Sequence, residues 1–332
     1  MTVFLLIISF VVILAGCELF VNGIEWFGRK LHLGEGAVGS VLAAVGTALP
    51  ETIIPLIAIL LTRGSAGNEI GVGAILGAPF MLSTLAIFVC GAAVVVGVLL
   101  KRRGLKIKYN KVIMRRDLAY FLVAYSVALL AGLFHLGPLN YALAALLLIG
   151  YGVYVKRTFA SEGDLGGETR SLYFHLAADS PDIRRVILQV VVALAAIVFG
   201  ARLFVDELTK IADSLGVSPL IISLLLTPLA TELPEKFNSA SWMLRKKDTL
   251  ALGNITGAMV FQSTFPVAIG LVFTDWRLGS ENWHGLFAAG LALLSGTILY
   301  VRLRFGKGFG VVSLLFGGVL YVAFVVTTLL TL

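Results

Sequence analysis

Two short acidic motifs, each inside an apolar segment, hold the residues of this sequence that are best suited to chemistry. Residues 46–51 read GTALPE and residues 230–235 read ATELPE, so Glu51 and Glu235 lie 184 positions apart. A carboxylate is costly to place in hydrocarbon, and an intramembrane Glu therefore indicates a functional site. The proline before each Glu predicts an interrupted helix, which a membrane tolerates only beside protein or a wet cavity. Two such interruptions, one in each half of a chain, are typical of a transporter binding site.

Neighbouring side chains could complete a cation site around each motif. Thr47 and Thr231 each precede a motif Glu by four residues, and residues at that spacing share one face of a helix. Glu232 lies three residues before Glu235, so these two carboxylates also project from one face. Two carboxylates that close suit either a divalent cation or a carrier of protons.

Lys236 directly follows Glu235 and is unusual at this depth in an apolar segment. It either points away from the site or supplies a tethered positive charge in place of a monovalent cation. An ion pair between Glu232 and Lys236, or between Glu232 and Arg202, is the structural alternative to a functional role for Glu232. The sequence leaves these interpretations open.

Four polar residues in later apolar segments are weaker candidates. Asn254 and Gln262 lie on the span after the second motif, and amide oxygens can coordinate a cation. Each could equally form a hydrogen bond between helices. Ser83 and Ser263 more often serve helix packing, as small polar residues do in membranes. Glu18 is a further candidate, for an access path to the site.

The elements that must position these residues are membrane-spanning helices. The mean hydropathy is +0.97, 58% of residues are hydrophobic and only 14% are charged, which is far from soluble composition. Apolar runs long enough to cross a bilayer recur along the chain. We predict an all-α polytopic membrane protein with ten transmembrane helices, at 2–27, 36–62, 70–100, 117–135, 138–156, 185–211, 217–244, 249–273, 284–302 and 308–331.

The positive charges predict the orientation of these spans. With the N-terminus outside, the cytoplasmic loops hold 21 Lys or Arg residues and the outer loops hold three. This asymmetry places both termini outside, because positive residues concentrate in cytoplasmic loops. It also accounts for the net charge of +7, so nucleic acid is not an expected partner.

The chain divides into two halves that repeat. Residues 1–157 and 184–332 would each form five helices, and the polar segment 158–183 would be a cytoplasmic linker. The segment GCELFVN at 16–22 aligns with GARLFVD at 200–206, at the same offset of 184 that relates the acidic motifs. Five spans per half is an odd number, so the second copy would enter from the opposite side. Inverted repeats of this kind are common in secondary transporters.

These residues resemble the cation/calcium exchanger superfamily, which includes the sodium/calcium exchangers. Each repeat of that family carries a GTSLPE-like motif on one helix and a GNxxGSN-like motif on the next, here within 46–82 and 230–263. The resemblance covers essentially the whole chain. It implies that Glu51 and Glu235 are the central ligands of a transported cation. It also implies that Thr47 and Thr231 supply hydroxyl or carbonyl oxygen.

The sequence departs from the family pattern at several ligand positions. The Ser before LPE is Ala48 in the first repeat and Glu232 in the second. The Gly-Asn pair is Gly-Ala at 73–74 but intact at 253–254, and the later polar positions include Leu82 and Gln262. The first repeat has therefore lost most side-chain oxygens and the second has gained a carboxylate. The chain is a divergent member, and the family's usual set of sodium sites cannot be assumed.

The function that these features predict is secondary antiport of a cation by alternating access, with calcium exchanged for sodium as the leading hypothesis. Two alternatives stay open: a proton-coupled cation exchanger on the same fold, and a non-transporting scaffold of the same type. No catalytic motif points to an enzyme, and no resident cofactor is expected. Inorganic cations and membrane lipid are the expected partners, in a prokaryotic inner membrane. The sequence leaves the oligomeric state open.

Overall fold

The computed structural model describes residues 1–30, 49–62, 65–159, 171–175, 181–279, 283–306 and 308–331. Within these ranges the long regular elements are all helical, which agrees with the predicted all-α class. The elements are α1 (Thr2–Lys30), α2 (Leu49–Leu61), α3 (Ser65–Met81), the π-helical segment (Leu82–Ala86), α4 (Ile87–Leu99), α5 (Lys111–Phe134), α6 (Leu139–Phe159), α7 (Ile183–Leu215), α8 (Pro219–Thr231), α9 (Leu233–Leu244), α10 (Asp248–Gln262), α11 (Phe265–Phe273), α12 (Trp283–Phe305) and α13 (Val311–Leu330).

Eight helical stretches of the described chain are long and apolar enough to cross a membrane. They occupy the places of eight of the ten predicted spans. The other two predicted spans, 36–62 and 217–244, carry the acidic motifs. In their places the described chain has shorter apolar helices, Glu51–Leu61 within α2 and Pro219–Leu229 within α8. Residues 36–48 of the first lie outside the described ranges.

Two long helices, α1 and α7, pack closely along each other. They meet at small residues. A Cβ atom at Gly16 would lie 2.8 Å from Cγ1 of Ile197, and one at Gly200 would lie 2.9 Å from Cγ1 of Ile13. The two contacts are equivalent in the two halves, because Gly200 and Ile197 lie 184 residues after Gly16 and Ile13. Glycine at both positions therefore permits the close crossing of the two helices.

A short described part of the predicted linker is tied to both of these helices. The Asn22 amide on α1 donates to the carbonyl oxygen of Ser171 (3.2 Å) and accepts from the N–H of Tyr173 (3.2 Å). The Gln189 amide on α7 donates to the Asn22 side-chain oxygen (2.9 Å) and accepts from the N–H of Phe174 (2.9 Å). These buried polar groups thus satisfy one another where α1, α7 and the linker meet.

The α1/α7 pair covers one side of α2 and α8, the short apolar helices at the two acidic motifs (the motif helices). Ile54 and Ile57 of α2 share a buried apolar cluster with Ile197 and Phe204 of α7. α7 also packs against α8, whereas α9 packs mainly against α4 and α10. The two helices that flank the second motif therefore have different neighbours.

α3 and α8 approach each other to within backbone contact. A Cβ atom at Gly73 or Gly77 of α3 would lie 2.5 Å from a backbone carbonyl oxygen of α8. The hydroxyl of Ser223 on α8 donates to the carbonyl oxygen of Ile70 on α3 (2.6 Å). Because α8 ends directly before Glu232, this contact helps to set the position of the second motif.

The basic loop between α4 and α5 is anchored by a buried ion pair. Arg103 is 7% exposed, and its guanidinium contacts both carboxylate oxygens of Asp248, at 2.7 and 3.1 Å. The N–H of Lys108 donates to the same carboxylate (2.8 Å). A buried charge is tolerated when it is paired and hydrogen-bonded. The pair fixes the start of α10, which carries Asn254 and Gln262.

Candidate functional site

The second acidic motif lies at a break between two helices. α8 ends at Thr231, α9 begins at Leu233, and Glu232 between them has φ −86° and ψ 8°. Pro234 lies in the first turn of α9, where its missing N–H costs nothing. The predicted interruption is therefore present in the second motif.

Glu51 and Glu235 occupy matching positions in their helices. Each lies in the first turn, Glu51 in α2 and Glu235 in α9. The unpaired N–H groups and the macrodipole make the N-terminus of a helix favourable for a negative charge. Both helix starts thus lower the cost of a negative charge at these two positions.

Three carboxylates come together at this break. Glu51 is 4% exposed, Glu232 1% and Glu235 3%, and Glu51 is within electrostatic range of both others. In the described part of the chain, Oε2 of Glu51 and Oε1 of Glu232 have no hydrogen-bond partner. Buried oxygens of this kind normally have a partner, so these atoms are suited to a ligand. A bound cation would provide that partner.

The carboxylates do not form a closed metal cage. Among the residues that the structure describes, no three His, Cys, Asp or Glu side chains are grouped tightly enough to hold a metal ion. A cation at this place would therefore take further oxygen atoms from backbone, hydroxyl or amide groups, or would draw the carboxylates together. Hard cations accept all of these ligands.

Lys236 points into this group of acids. It is 5% exposed, and its Nζ lies 3.2 Å from Oε2 of Glu232 and donates to the carbonyl oxygen of Pro228 (3.2 Å). Of the two partners predicted for Glu232, Lys236 is thus the one in contact, and Arg202 is exposed on α7. Glu232 therefore has a positively charged partner within the group of acids.

The two motif threonines have different outcomes. Thr231 is fully buried, and its hydroxyl donates its hydrogen to the carbonyl oxygen of Thr227 (3.0 Å). The lone pairs of the hydroxyl oxygen are the part of this side chain that could bind a cation. The helix break separates Thr231 from Glu235. Thr47 lies outside the described residues.

The candidate amides lie on α10. The Asn254 side-chain nitrogen donates to the carbonyl oxygen of Glu235 (3.3 Å) and to the hydroxyl of Ser239 (3.0 Å), which places this amide directly against α9. Gln262 is 2% exposed at the end of α10, and its Oε1 has no hydrogen-bond partner within the described chain. Asn254 is therefore joined to the second motif, while Gln262 offers a buried acceptor.

Comparison with known proteins decides the family. A family model described as "Sodium/calcium exchanger protein" matches residues 1–159 and 185–332. The chain belongs to this family. The resemblance drawn from the two acidic motifs is thereby confirmed.

Individual relatives of the exchanger family match over nearly the whole chain. CaxA of Alkalimonas amylolytica is 25% identical over 313 residues, which cover 92% of this chain and 91% of CaxA. The crystal structure of the H⁺/Ca²⁺ exchanger CAX superposes with a TM-score of 0.79 at 15% identity, over 99% of this chain and 82% of CAX. The sodium-calcium exchanger NCX_Mj superposes with a TM-score of 0.61 at 20% identity, over 98% of this chain and 97% of its own. These structures show a shared fold.

Two helix interruptions in this exchanger-family chain escaped sequence reasoning. The π-helical segment begins at Leu82, and α10 is separated from α11 at Ser263 and Thr264. The dipeptide Ser-Thr stands at 83–84 and again at 263–264, an offset of 180, which is the signal that could have found them. The hydroxyls of Ser83 and Ser263 donate to backbone carbonyls of Phe80 and Val260. Both serines thus serve their own helices.

A buried acid on α5 also escaped sequence reasoning. Asp117 is 1% exposed and accepts hydrogen bonds from the hydroxyls of Thr256 on α10 (2.8 Å) and Tyr154 on α6 (3.1 Å). Arg116 contacts the same carboxylate at 3.2 Å. Because both of its oxygens are bonded within the protein, Asp117 holds three helices together. Its position at the start of a predicted span was the available signal.

Proposed function

We propose that this chain is a secondary cation antiporter that moves calcium across the membrane by alternating access. The observation that carries the proposal is three buried carboxylates within electrostatic range of one another at the break between α8 and α9, with oxygens of Glu51 and Glu232 that have no hydrogen-bond partner in the described chain. Acidic groups at this depth are expensive and indicate an ion pathway. Membership of the sodium/calcium exchanger family supports the same function.

The proposed ligands are the oxygens around the two motifs. Glu51 and Glu235 are the central pair, since they start α2 and α9 in matching positions. The further proposed ligands are Thr47, Thr231, Glu232, Asn254 and Gln262. Of these, Asn254 has direct contact with α9, and rotation of its amide would turn the oxygen toward the cation.

The proposed architecture is ten spans in two inverted repeats, 1–157 and 184–332, joined by the linker 158–183. The reciprocal contacts of Gly16 with Ile197 and Gly200 with Ile13 support it, because a twofold relation between the halves generates such pairs. Equivalent Ser-Thr interruptions, 180 residues apart, support it as well. The excess of Lys and Arg in the loops assigned to the cytoplasm supports outer termini. A prokaryotic inner membrane is the proposed location.

Alternating access requires one part of the protein to move against the rest. α1 and α7 are the proposed moving pair, since they pack mainly on each other. Their contacts with the motif helices are with α2 and α8. α9 packs against α4 and α10 and would belong to the stationary part. Movement of the pair along the motif helices would open the carboxylates to each side in turn.

Sodium is the coupling ion of the leading proposal. Protons are the second candidate, and the shortage of neutral oxygen ligands favours them. The hydroxyls of Ser83 and Ser263 donate to their own helices. The first repeat has Ala78 and Leu82 where the family has polar residues. Fewer neutral oxygens leave fewer places for sodium ions.

Calcium uptake into proteoliposomes that contain the purified protein separates the two candidates. One preparation receives a sodium gradient at equal pH on both sides, and the other a pH gradient at equal sodium. Uptake driven by the sodium gradient alone is the expected result. If only the pH gradient drives uptake, protons are the coupling ion in place of sodium. If neither gradient drives uptake, calcium antiport is contradicted.

A further inference from the structure

We propose that the ammonium group of Lys236 is a built-in monovalent cation of the site. It would bring the net charge of the site to −2, so that calcium crosses without an accompanying monovalent cation and is exchanged for two monovalent positive charges. The inference rests on the proposed antiport of calcium and specifies its charge stoichiometry.

The position of the ammonium is that of a bound cation. Nζ of Lys236 lies 3.2 Å from Oε2 of Glu232 and 3.2 Å from the carbonyl oxygen of Pro228. A carboxylate oxygen and a backbone carbonyl oxygen are the ligands that hard cations take in proteins. The lysine stem begins inside the site, on the residue after Glu235, so the charge cannot leave with the transported ions.

The surroundings hold the charge in place. Lys236 is 5% exposed and Glu232 is 1% exposed. The residues are four positions apart, and the backbone N–H of Lys236 donates to the carbonyl oxygen of Glu232 (3.0 Å). The carbonyl oxygen of Pro228 also accepts from the N–H of Glu232 (3.1 Å). A buried ion pair with these additional hydrogen bonds satisfies the conditions under which buried charges persist.

The charges around Glu51 can be counted within the described chain. The groups that act on it electrostatically are the carboxylates of Glu235 and Glu232 and the ammonium of Lys236. Three carboxylates and one ammonium give −2. In a low-dielectric interior, uncompensated charge is strongly unfavourable. The closed states that carry ions across should therefore be nearly neutral, which requires one divalent cation or two monovalent charges.

Without the ammonium, the same acids would carry −3. A closed state would then need one more positive charge beside calcium, or three monovalent charges without it. The charge carried is then the same in both directions, so the cycle stays electroneutral with or without Lys236. Lys236 instead determines whether a monovalent cation must accompany calcium. A purely structural ion pair would affect stability and leave that requirement unchanged.

The test measures calcium accumulation in proteoliposomes at a clamped membrane potential, set by potassium and an ionophore. Movement of one net charge per cycle would change the equilibrium calcium ratio by roughly 50-fold per 100 mV. The wild type is expected to give the same ratio at 0 and 100 mV. Calcium-for-calcium exchange, measured with and without potassium on both sides and at two pH values, then separates the variants. The wild type is expected to exchange calcium without potassium. Lys236→Gln is expected to be accelerated by potassium or by lower pH, because its calcium-loaded state needs an additional monovalent cation.

A double variant, Glu232→Gln with Lys236→Gln, is the matched control. It removes one negative and one positive charge, so any calcium exchange that it retains should again proceed without potassium. A wild-type ratio that shifts roughly 50-fold per 100 mV would overturn the inference, as would a Lys236→Gln variant whose calcium exchange responds neither to potassium nor to lower pH. If neither variant transports, the wild-type measurement alone decides. Absence of calcium transport in the wild type would instead contradict the proposed antiport itself.

Discussion

Replacement of Glu51 or Glu235 by Gln should abolish gradient-driven calcium uptake while the protein still folds. Glutamine keeps the size of the side chain and removes the negative charge that would bind the cation. Both residues start a helix and both are almost fully buried. We expect the uptake rate to fall by at least about 100-fold, which corresponds to roughly 2.7 kcal/mol. Uptake into proteoliposomes measures the loss, and size-exclusion chromatography in detergent reports folding.

Glu69→Gln is the matched control for this experiment. Glu69 lies near the start of α3, away from the helix break at Glu232, and accepts a hydrogen bond from the hydroxyl of Ser218 (2.8 Å). This variant should transport at nearly the wild-type rate. Coupled uptake that persists in Glu51→Gln would remove the central ligand from the proposal.

Replacement of Gly77 by Ala should both destabilise the protein and slow transport. A Cβ atom there would lie 2.5 Å from the carbonyl oxygen of Leu224 and 2.8 Å from the ring of Pro228. Since backbone atoms cannot rotate out of the way, α8 must shift, and overpacking of this kind costs about 1–3 kcal/mol. Pro228 also holds the Lys236 ammonium through its carbonyl oxygen, so the shift should reach the site. Thermal unfolding and calcium uptake measure the two effects.

Gly150→Ala provides the comparison, because a Cβ atom at Gly150 on α6 would meet nothing within 4 Å. Alanine also favours a helix over glycine by about 1 kcal/mol. This variant should be as stable as the wild type or slightly more so. If Gly77→Ala behaved in the same way, the close approach of α3 and α8 would not constrain the site.

Hydropathy was sufficient to predict the fold class, and the two motifs were sufficient to predict the family and an interrupted helix at the second motif. An acid beside a proline in an apolar segment has few structural solutions, because hydrocarbon tolerates neither an unpaired charge nor free backbone groups. Internal repetition added the comparison of the two halves. The break between α8 and α9 follows from these rules alone.

Other features could not be derived from local sequence. Pro266 follows the interruption at Ser263 and Thr264, and Pro79 precedes the π-helical segment that begins at Leu82, so neither proline stands at the irregularity itself. Such irregularities depend on tertiary packing as well as on propensity. The contact of Lys236 with Glu232 was one of several sequence-compatible pairings. Which pairing forms depends on how α8 and α9 meet.

Calcium binding to the purified protein is the most direct test of the central claim that the buried carboxylates hold a transported cation. Thermal unfolding in detergent would be followed against calcium concentration for the wild type and for Glu235→Gln. A ligand that binds only the folded state stabilises it by about 2.7 kcal/mol at 100 times its Kd. The account predicts a rise in wild-type Tm that saturates with calcium and is absent in the variant. An unchanged wild-type Tm, or an equal rise in Glu235→Gln, would contradict it.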